Sequence, residues 1–203
     1  SEMATMGQGD DYSVHLLGDS FLNNQYCAGH LASLLAANGY TPVSQDNAGG
    51  SSLTEQAARY ALSAVYVSGV PYDLTKWKKS KLVVVDGGFD GTAEQGIAAL
   101  ESMRANLRDG DEWWYLEPAP QEPYGTPGRI AWDAKVVAMQ AYCGIHYIPT
   151  LQPAFDAGNG TPEDNEQIEL GLWPTSLKTS NVDFHPNPTL GAAFLATQIY
   201  HAL

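Results

Sequence analysis

Basic residues are scarce in this chain of 203 residues: ten Lys and Arg stand against 23 Asp and Glu, which gives a net charge of −13. Nucleic-acid binding depends on Lys and Arg that neutralise phosphates, so this balance argues against a nucleic-acid partner. The same negative charge disfavours adhesion to an anionic membrane surface. We therefore expect a substrate that is neutral, or that carries its charge away from the reacting group.

Long apolar runs are missing as well. No stretch approaches the roughly 20 residues of a membrane-spanning helix, so no membrane span is predicted. Apolar residues make up 44% of the chain and charged residues 16%, the balance of a globular protein rather than a disordered one. With no repeat or domain boundary in the sequence, we expect a flexible N-terminal segment at 1–12 and a single domain at 13–203.

Cysteine is nearly absent, with Cys27 and Cys143 the two examples. They lack the spacing of a metal site, and no group of His, Asp and Glu has the spacing of a zinc site. The sequence therefore predicts no metal. Two buried thiols are expected, because free Cys behaves as a small apolar residue, although one disulfide between them stays open.

Strand-like apolar stretches alternate with helix-like segments along the whole chain. The clearest strand is Leu82-Val83-Val84-Val85, apolar on both faces as in the centre of a parallel sheet. The alternation predicts one α/β domain whose parallel sheet has about five strands and right-handed crossovers. The strands are expected at 14–17, 41–46, 82–85, 112–116 and 145–148.

Other segments carry weaker signals. Residues 65–80 are expected to be irregular, and 151–181 lack periodicity, so we expect a loop that partly covers a site. Thr92 and Gln95 match a helix capping box. A helix from 129 to 142 is expected to bury four apolar side chains, Ile130, Val136, Val137 and Ala141.

Three turns follow predicted strands: Gly18-Asp19-Ser20, Gly49-Gly50 and Gly87-Gly88. Ligands bind outside the carboxyl ends of parallel strands, so these turns are expected on one edge of the sheet. Backbone N–H groups at the start of a helix can stabilise an oxyanion, which suits a serine nucleophile at Ser20. Ser and Asp are also common helix N-caps, so a capping role stays open.

Two end motifs carry a resemblance to a known family. Gly18-Asp19-Ser20 after the first strand, and Asp183 with His185 before the last helix, resemble the GDSL-type (SGNH) esterases and lipases. The resemblance runs from about residue 13 to 203. It implies a flavodoxin-like three-layer sandwich of helix, parallel sheet and helix, and hydrolysis of lipid, sugar or small acyl esters without a metal or organic cofactor.

The resemblance also implies roles for individual residues. Ser20 is similar in position to the nucleophile of the family, His185 to its base, and Asp183 to the carboxylate that orients the histidine. The N–H groups of Ser20 and Gly50 are the implied oxyanion hole, with Gly49 an equally close match for the glycine.

The spacing of Asp and His departs from the family pattern. The family usually places Asp three residues before His, where this chain has Val182, and Asp183 is only two before. Residues two apart share a side on an extended backbone but not on a helix. We therefore expect an extended or turned backbone at 183–185. Otherwise a backbone carbonyl or Asn181 would have to hold the ring.

The family's Gly-x-Asn-Asp block is also altered. Phe89 occupies the position of the Asn whose side chain donates to the oxyanion, and it has no donor. Loss of one such donor typically costs ~10²–10³ in turnover. Either another group replaces it, with Asn23 and Asn24 as candidates, or the enzyme is slow, or the site is not catalytic. Gly49, Phe89 and Asn23 are the expected substrate-binding residues.

The expected function is a serine esterase that acts on short-chain acyl esters, acetyl among them, through an acyl-enzyme. Its expected partner is a small-molecule or carbohydrate ester. Two alternatives stay open: a binding or structural module with the fold but not the chemistry, and an acyltransferase with the same residues. Most of the aromatic residues are expected in the core, and some as platforms for a sugar ring: Trp113, Trp114, Tyr115, Tyr124, Trp132 and Trp173.

Overall fold

A computed structural model of the chain describes residues 12–22, 28–40, 43–47, 49–61, 64–67, 70–73, 79–85 and 91–203. The strands, in chain order, are β1 (Tyr12–Gly18), β2 (Val43–Asn47), β3 (Ala64–Val67), β4 (Val70–Asp73), β5 (Lys79–Val85), β6 (Glu112–Leu116), β7 (Tyr147–Ile148), β8 (Lys178–Ser180) and β9 (Asp183–Pro186). The α-helices are α1 (Ala28–Ala37), α2 (Leu53–Ala61), α3 (Ala93–Ala105), α4 (Pro127–Cys143), α5 (Leu151–Asp156), α6 (Pro162–Glu169) and α7 (Leu190–Ala202).

The centre of the fold is a five-stranded sheet in the order β2-β1-β5-β6-β7, and every pairing in it is parallel. Residues 80–85 of β5 are all buried, as the apolar run at 82–85 predicted. The reversal of strand order at β1 places the carboxyl ends of β1 and β5 side by side. The predicted parallel sheet is confirmed, and this edge is where ligands bind in such folds.

Helices cover both faces of the sheet. On one face α1 and α7 bury Leu31, Leu35 and Ile199 in a cluster with Val14 and Leu16 of β1. On the other face α2, α3 and α4 form a second cluster with alternate residues of the same strands, including Leu17, Leu53, Leu82, Leu100 and Met139. The architecture is thus the expected three-layer sandwich. Tyr12 belongs to β1, and residues 1–11 of the predicted N-terminal segment lie outside the described residues.

Two predictions about irregular segments are wrong. In 65–80, β3 and β4 pair as an antiparallel hairpin with Val67 opposite Val70, because β-branched residues there favour strands. The segment 151–181 contains α5, α6 and β8 rather than a structureless loop. The buried carboxylate of Asp164 holds parts of this segment together, because it accepts hydrogen bonds from the N–H groups of Asn159 and Ser176.

The burial expected for α4 is wrong for three of its four side chains, whereas Val136 is partly buried against the core. Ile130 and Val137 are 61% and 67% exposed, and Ala141 is exposed too. The buried side chains of the helix are Arg129, Trp132, Met139 and Cys143. Met139 belongs to the cluster that contains Leu17 and Leu82 of the sheet, so it lies on the side of the helix that faces the sheet.

The aromatic residues proposed as sugar platforms lie mostly in the core. Tyr124 is 52% exposed, whereas the other five are buried: Trp113, Trp114, Tyr115, Trp132 and Trp173. Cys143 is a buried free thiol, as expected, and burial raises its pKa to about 12. Cys27 lies outside the described residues. Within the described part of the chain, no helix is long and apolar enough to cross a membrane.

Candidate active site

Ser20 lies directly beyond the carboxyl end of β1, as the first residue of a 3-10 turn, Ser20–Leu22. The neighbouring Asp19 is buried, and its Oδ1 accepts the N–H of Phe21 at 2.8 Å. Asp19 therefore caps this turn through its own carboxylate. The Ser20 hydroxyl instead bonds across the molecule to His185.

His185 reaches the same edge of the sheet on strand β9. This strand pairs antiparallel with β8, with Lys178 opposite Pro186 and Ser180 opposite Asp183. The next residue, Asn187, fastens the strand from its end: its Nδ2 donates to the carbonyls of Ser176 and Lys178, at 2.7 and 3.2 Å. These bonds hold the imidazole on a supported strand rather than on an unrestrained loop.

Ser20, His185 and Asp183 form one hydrogen-bonded row. Ser20 Oγ is 2.8 Å from His185 Nε2, and His185 Nδ1 is 2.6 Å from Asp183 Oδ1. The same Oδ1 accepts the backbone N–H of His185 at 3.0 Å. The backbone at 183–185 is extended, which is the geometry that a spacing of two residues requires. No backbone carbonyl or Asn181 is needed to hold the ring.

The ionisation of Asp183 determines which atom donates in each hydrogen bond of the row. Burial raises the pKa of Asp183, but the N–H and ring of His185, with the charge of Lys178, outweigh burial and leave the pKa below its usual value. An ionised carboxylate only accepts hydrogen bonds, so Nδ1 of His185 must donate to it. In the neutral ring Nε2 then carries a lone pair, and the Ser20 hydroxyl donates to it.

The glycine turn between β2 and α2 lies beside Ser20. A Cβ built on Gly49 would be 4.0 Å from the Cβ of Ser20, so the turn approaches the serine closely. Gly50 has φ of 71°, a left-handed conformation that suits glycine. Both glycines that were predicted near the oxyanion are therefore at the same edge as Ser20.

Two of the predicted site residues, Asn23 and Phe89, lie outside the described residues, as does Asn24. Their roles stay predictions.

The sequence reading missed an aromatic support behind the imidazole. Phe184 stacks on His185 with ring centroids 4.3 Å apart, and on Phe21 at 6.4 Å. Phe21 in turn meets Trp173 edge-on at 5.5 Å. The signal was present in the sequence, since Phe21 and Phe184 are direct neighbours of Ser20 and His185. The cluster joins the two segments of the site through apolar contact.

No group of His, Cys, Asp and Glu among the described residues could hold a metal ion. Two of the other histidines, His15 and His146, have structural surroundings, whereas His30 and His201 are exposed. His15 is buried in β1 and stacks on Tyr60, and burial lowers its pKa to about 3. His146 bonds to the carbonyl of Trp113 through Nδ1 at 2.8 Å and stacks on that indole.

The fold and this row of side chains define a class: an α/β sandwich with Ser, His and Asp at the carboxyl edge of its parallel sheet. The sequence itself matches no protein-family model and no curated protein. Solved structures do match the fold over nearly the whole chain. The chain thus has the fold of the GDSL-type (SGNH) hydrolases, as the sequence motifs predicted.

Three of the similar structures show the range of proteins with this fold. The catalytic domain of peptidoglycan O-acetyltransferase A from Streptococcus pneumoniae is 14% identical and has a TM-score of 0.61, covering 96% of this chain and 94% of that one. A member of the lipolytic G-D-S-L family from Veillonella parvula is 13% identical with a TM-score of 0.60, over 94% and 97%. A psychrotrophic esterase from Pseudoalteromonas is 12% identical with a TM-score of 0.56, over 95% and 96%.

Proposed function

We propose that the protein is a serine esterase that hydrolyses short-chain acyl esters, acetyl among them, through an acyl-enzyme. The observation that carries the proposal is the hydrogen-bonded row in which His185 lies 2.8 Å from Ser20 Oγ and 2.6 Å from Asp183. These distances are those at which a base can activate a hydroxyl nucleophile and be oriented by a third group. We further propose that residues 13–203 act as one domain.

In the first half of the reaction, Ser20 Oγ attacks the ester carbonyl while Nε2 of His185 takes the hydroxyl proton. Asp183 accepts from Nδ1 throughout, which stabilises the imidazolium. The imidazolium then protonates the leaving alcohol as the tetrahedral intermediate breaks down, and the acyl group stays on Ser20. In the second half, water attacks the acyl carbonyl while the neutral ring takes its proton, and the imidazolium then returns a proton to Ser20 Oγ as the bond to the acyl group breaks and the acid leaves.

Charge develops on the carbonyl oxygen during both attacks, and backbone N–H groups are the proposed donors to it. Ser20 lies beyond the end of a parallel strand, and Gly50 lies in the turn that approaches Ser20. Each well-placed donor of this kind contributes about 10²–10³ in turnover.

The proposed substrate is a small-molecule or carbohydrate ester. The net charge of −13 disfavours nucleic acid and strongly anionic ligands. Of the six aromatic residues considered as sugar platforms, Tyr124 is exposed and the other five are buried. Within this set, Tyr124 is therefore the residue on which a sugar could stack.

The proposal is tested with p-nitrophenyl acetate as substrate and a variant in which Ser20→Ala removes the attacking oxygen. Turnover should fall by at least about 10³ in a protein that unfolds at the same temperature. Ser102→Ala is the matched control, because Ser102 is exposed on α3. Wild-type rates in Ser20→Ala would overturn the proposal.

Acyl transfer to an alcohol is the second candidate, because one structure with this fold is the catalytic domain of an O-acetyltransferase. The same three side chains would form the acyl-enzyme, and an acceptor hydroxyl would replace water in the second half. Product analysis with and without an acceptor sugar separates the two: new acyl ester at the expense of free acid favours transfer. A folded protein that neither hydrolyses nor transfers would favour a binding module.

A further inference from the structure

One buried side chain joins two segments of the carboxyl edge of the sheet. Gln56, in the first turn of α2, has no exposed surface. Its Nε2 donates to the carbonyl of Ser51 at 3.3 Å and to the carbonyl of Val85, the last residue of β5, at 3.1 Å. Both partners are acceptors, so the amide nitrogen must face them, and this fixes the orientation of the side-chain amide.

Ser51 extends the connection to the strand that leads to Ser20. Its Oγ donates to the carbonyl of Gly18 at 3.2 Å and accepts from Arg59 Nη2 at 3.4 Å. Gly18 is the last residue of β1, two before Ser20, and Ser51 directly follows Gly50. Gln56 and Ser51 together therefore connect the ends of β1 and β5 to the glycine turn.

Within the described part of the chain, Gly50 has little packing around it to hold it in place. Gly50 is exposed, and among the described residues, its two chain neighbours apart, no heavy atom lies within 4 Å of the position that a Cβ on it would take. Its left-handed backbone and absence of a side chain leave the position of its N–H to be set by neighbouring residues. The bonds of Ser51 and Gln56 act on the residue next to it in the chain.

We propose that Gln56 and Ser51 are positioning residues that fix the N–H of the Gly49–Gly50 turn for the developing oxyanion. This inference rests on the proposed esterase function. A donor contributes to catalysis only when it lies about 2.7–3.1 Å from the oxyanion, and a misplacement near 1 Å can cost about 10²-fold in rate. Because the oxyanion exists only in the transition state, the loss should fall on kcat and leave KM nearly unchanged.

The test compares Gln56→Leu, which removes both amide bonds at similar volume, and Ser51→Ala, which removes the bond to Gly18, with wild type. Glu55→Gln is the matched control, because Glu55 is exposed on the same turn of α2 and bonds to Ser52. For each variant kcat, KM and the inhibition constant of a methylboronic acid, which mimics the tetrahedral intermediate on serine, are measured. Thermal unfolding is recorded beside them.

We expect kcat of Gln56→Leu to fall about 10- to 100-fold with KM within threefold of wild type, and the boronic acid to bind more weakly by a similar factor. Ser51→Ala should show a smaller fall in kcat and a smaller loss of inhibitor binding, again with KM nearly unchanged. If Gln56→Leu does not fold, the result for Ser51→Ala decides between the outcomes. A lower unfolding temperature with unchanged kcat and unchanged inhibitor binding overturns the inference alone. A wild-type protein with no hydrolysis and no binding of the boronic acid overturns the proposed function as well.

Discussion

The hydroxyl of Ser20 and the Nε2 of His185 are 2.8 Å apart, although 165 positions separate the two residues in the chain. Ser20 lies in the turn that follows the first strand of the parallel sheet, and His185 lies on a hairpin strand just before the last helix. The contact is made by bringing the two ends of the chain to one edge of the sheet. Phe21 and Phe184, the neighbours of these residues, stack and so support the same meeting.

Replacing Asp183 tests the orientation of the imidazole. In Asp183→Asn the amide can donate to Nδ1, which favours the tautomer with the proton on Nε2, where it cannot accept from Ser20. We expect kcat to fall by about 10³–10⁴ with little change in stability. The measurement is steady-state hydrolysis of p-nitrophenyl acetate. Asp156→Asn, at an exposed carboxylate of α5, is the control, and equal rates for the two variants would contradict the role of Asp183.

Gly191 sets how closely α7 approaches the strand that carries His185. A Cβ there would lie 2.1 Å from the carbonyl oxygen of Leu177 and 3.0 Å from Cα of Pro186. Gly191→Ala must therefore push α7 and β9 apart, at a cost of about 1–3 kcal/mol of unfolding free energy. Urea denaturation measures the loss, and turnover should fall with it. Thr197→Ala, on the exposed face of α7, should leave both near wild type.

His15 predicts how stability depends on pH. Its pKa is lowered by burial from 6.5 to about 3, so between these values the unfolded chain binds a proton that the folded chain does not. Stability from this group is present above pH 6.5 and is lost as pH falls towards 3. In His15→Phe, urea denaturation at several pH values below 6.5 should show a slope smaller than wild type by about 1.4 kcal/mol per pH unit. Parallel curves would contradict this.

Phe89 gives a gain-of-function prediction from the sequence. The sequence resemblance matches it to an Asn that donates to the oxyanion, so on our proposal Phe89→Asn would supply a donor. We expect kcat for p-nitrophenyl acetate to rise by up to about 10² with KM nearly constant. Phe89→Leu, which adds no donor, is the control. An increase in both variants would attribute the effect to lost bulk rather than to the donor.

Local patterns in the sequence were enough for the sheet and for some helix boundaries. The run at 82–85 is apolar on both faces and became the central strand β5. Thr92 and Gln95 form the predicted capping box at the start of α3, because both partners lie within one turn. For Asp183 and His185 the spacing indicated only that contact needs an extended or turned backbone, and the strand at Asp183–Pro186 meets that condition.

Features that depend on distant contacts could not be predicted. The periodicity of α4 indicated a helix but not its rotation about its own axis, and Met139 is a side chain of this helix that packs in the cluster with sheet residues. Helix α6 is short and mostly polar, so the sequence showed no apolar periodicity there. The helix is tied to the following segment by the bond from the N–H of Ser176 to Asp164, 12 residues earlier, which a local pattern does not indicate. In the sequence Gln56 looks like an ordinary helical residue. Its bond to the carbonyl of Val85 joins residues 29 positions apart, so no local pattern indicates it.

The central claim, that Ser20 is an activated nucleophile, is tested most directly by its reaction with a fluorophosphonate probe. The probe phosphonylates a serine only when a base removes its proton and donors stabilise the charged oxygen. Mass spectrometry of the digested protein should find one adduct, on the peptide with Ser20, and none in Ser20→Ala or in His185→Ala. Folded wild-type protein that stays unlabelled, or that is labelled elsewhere, would contradict the account.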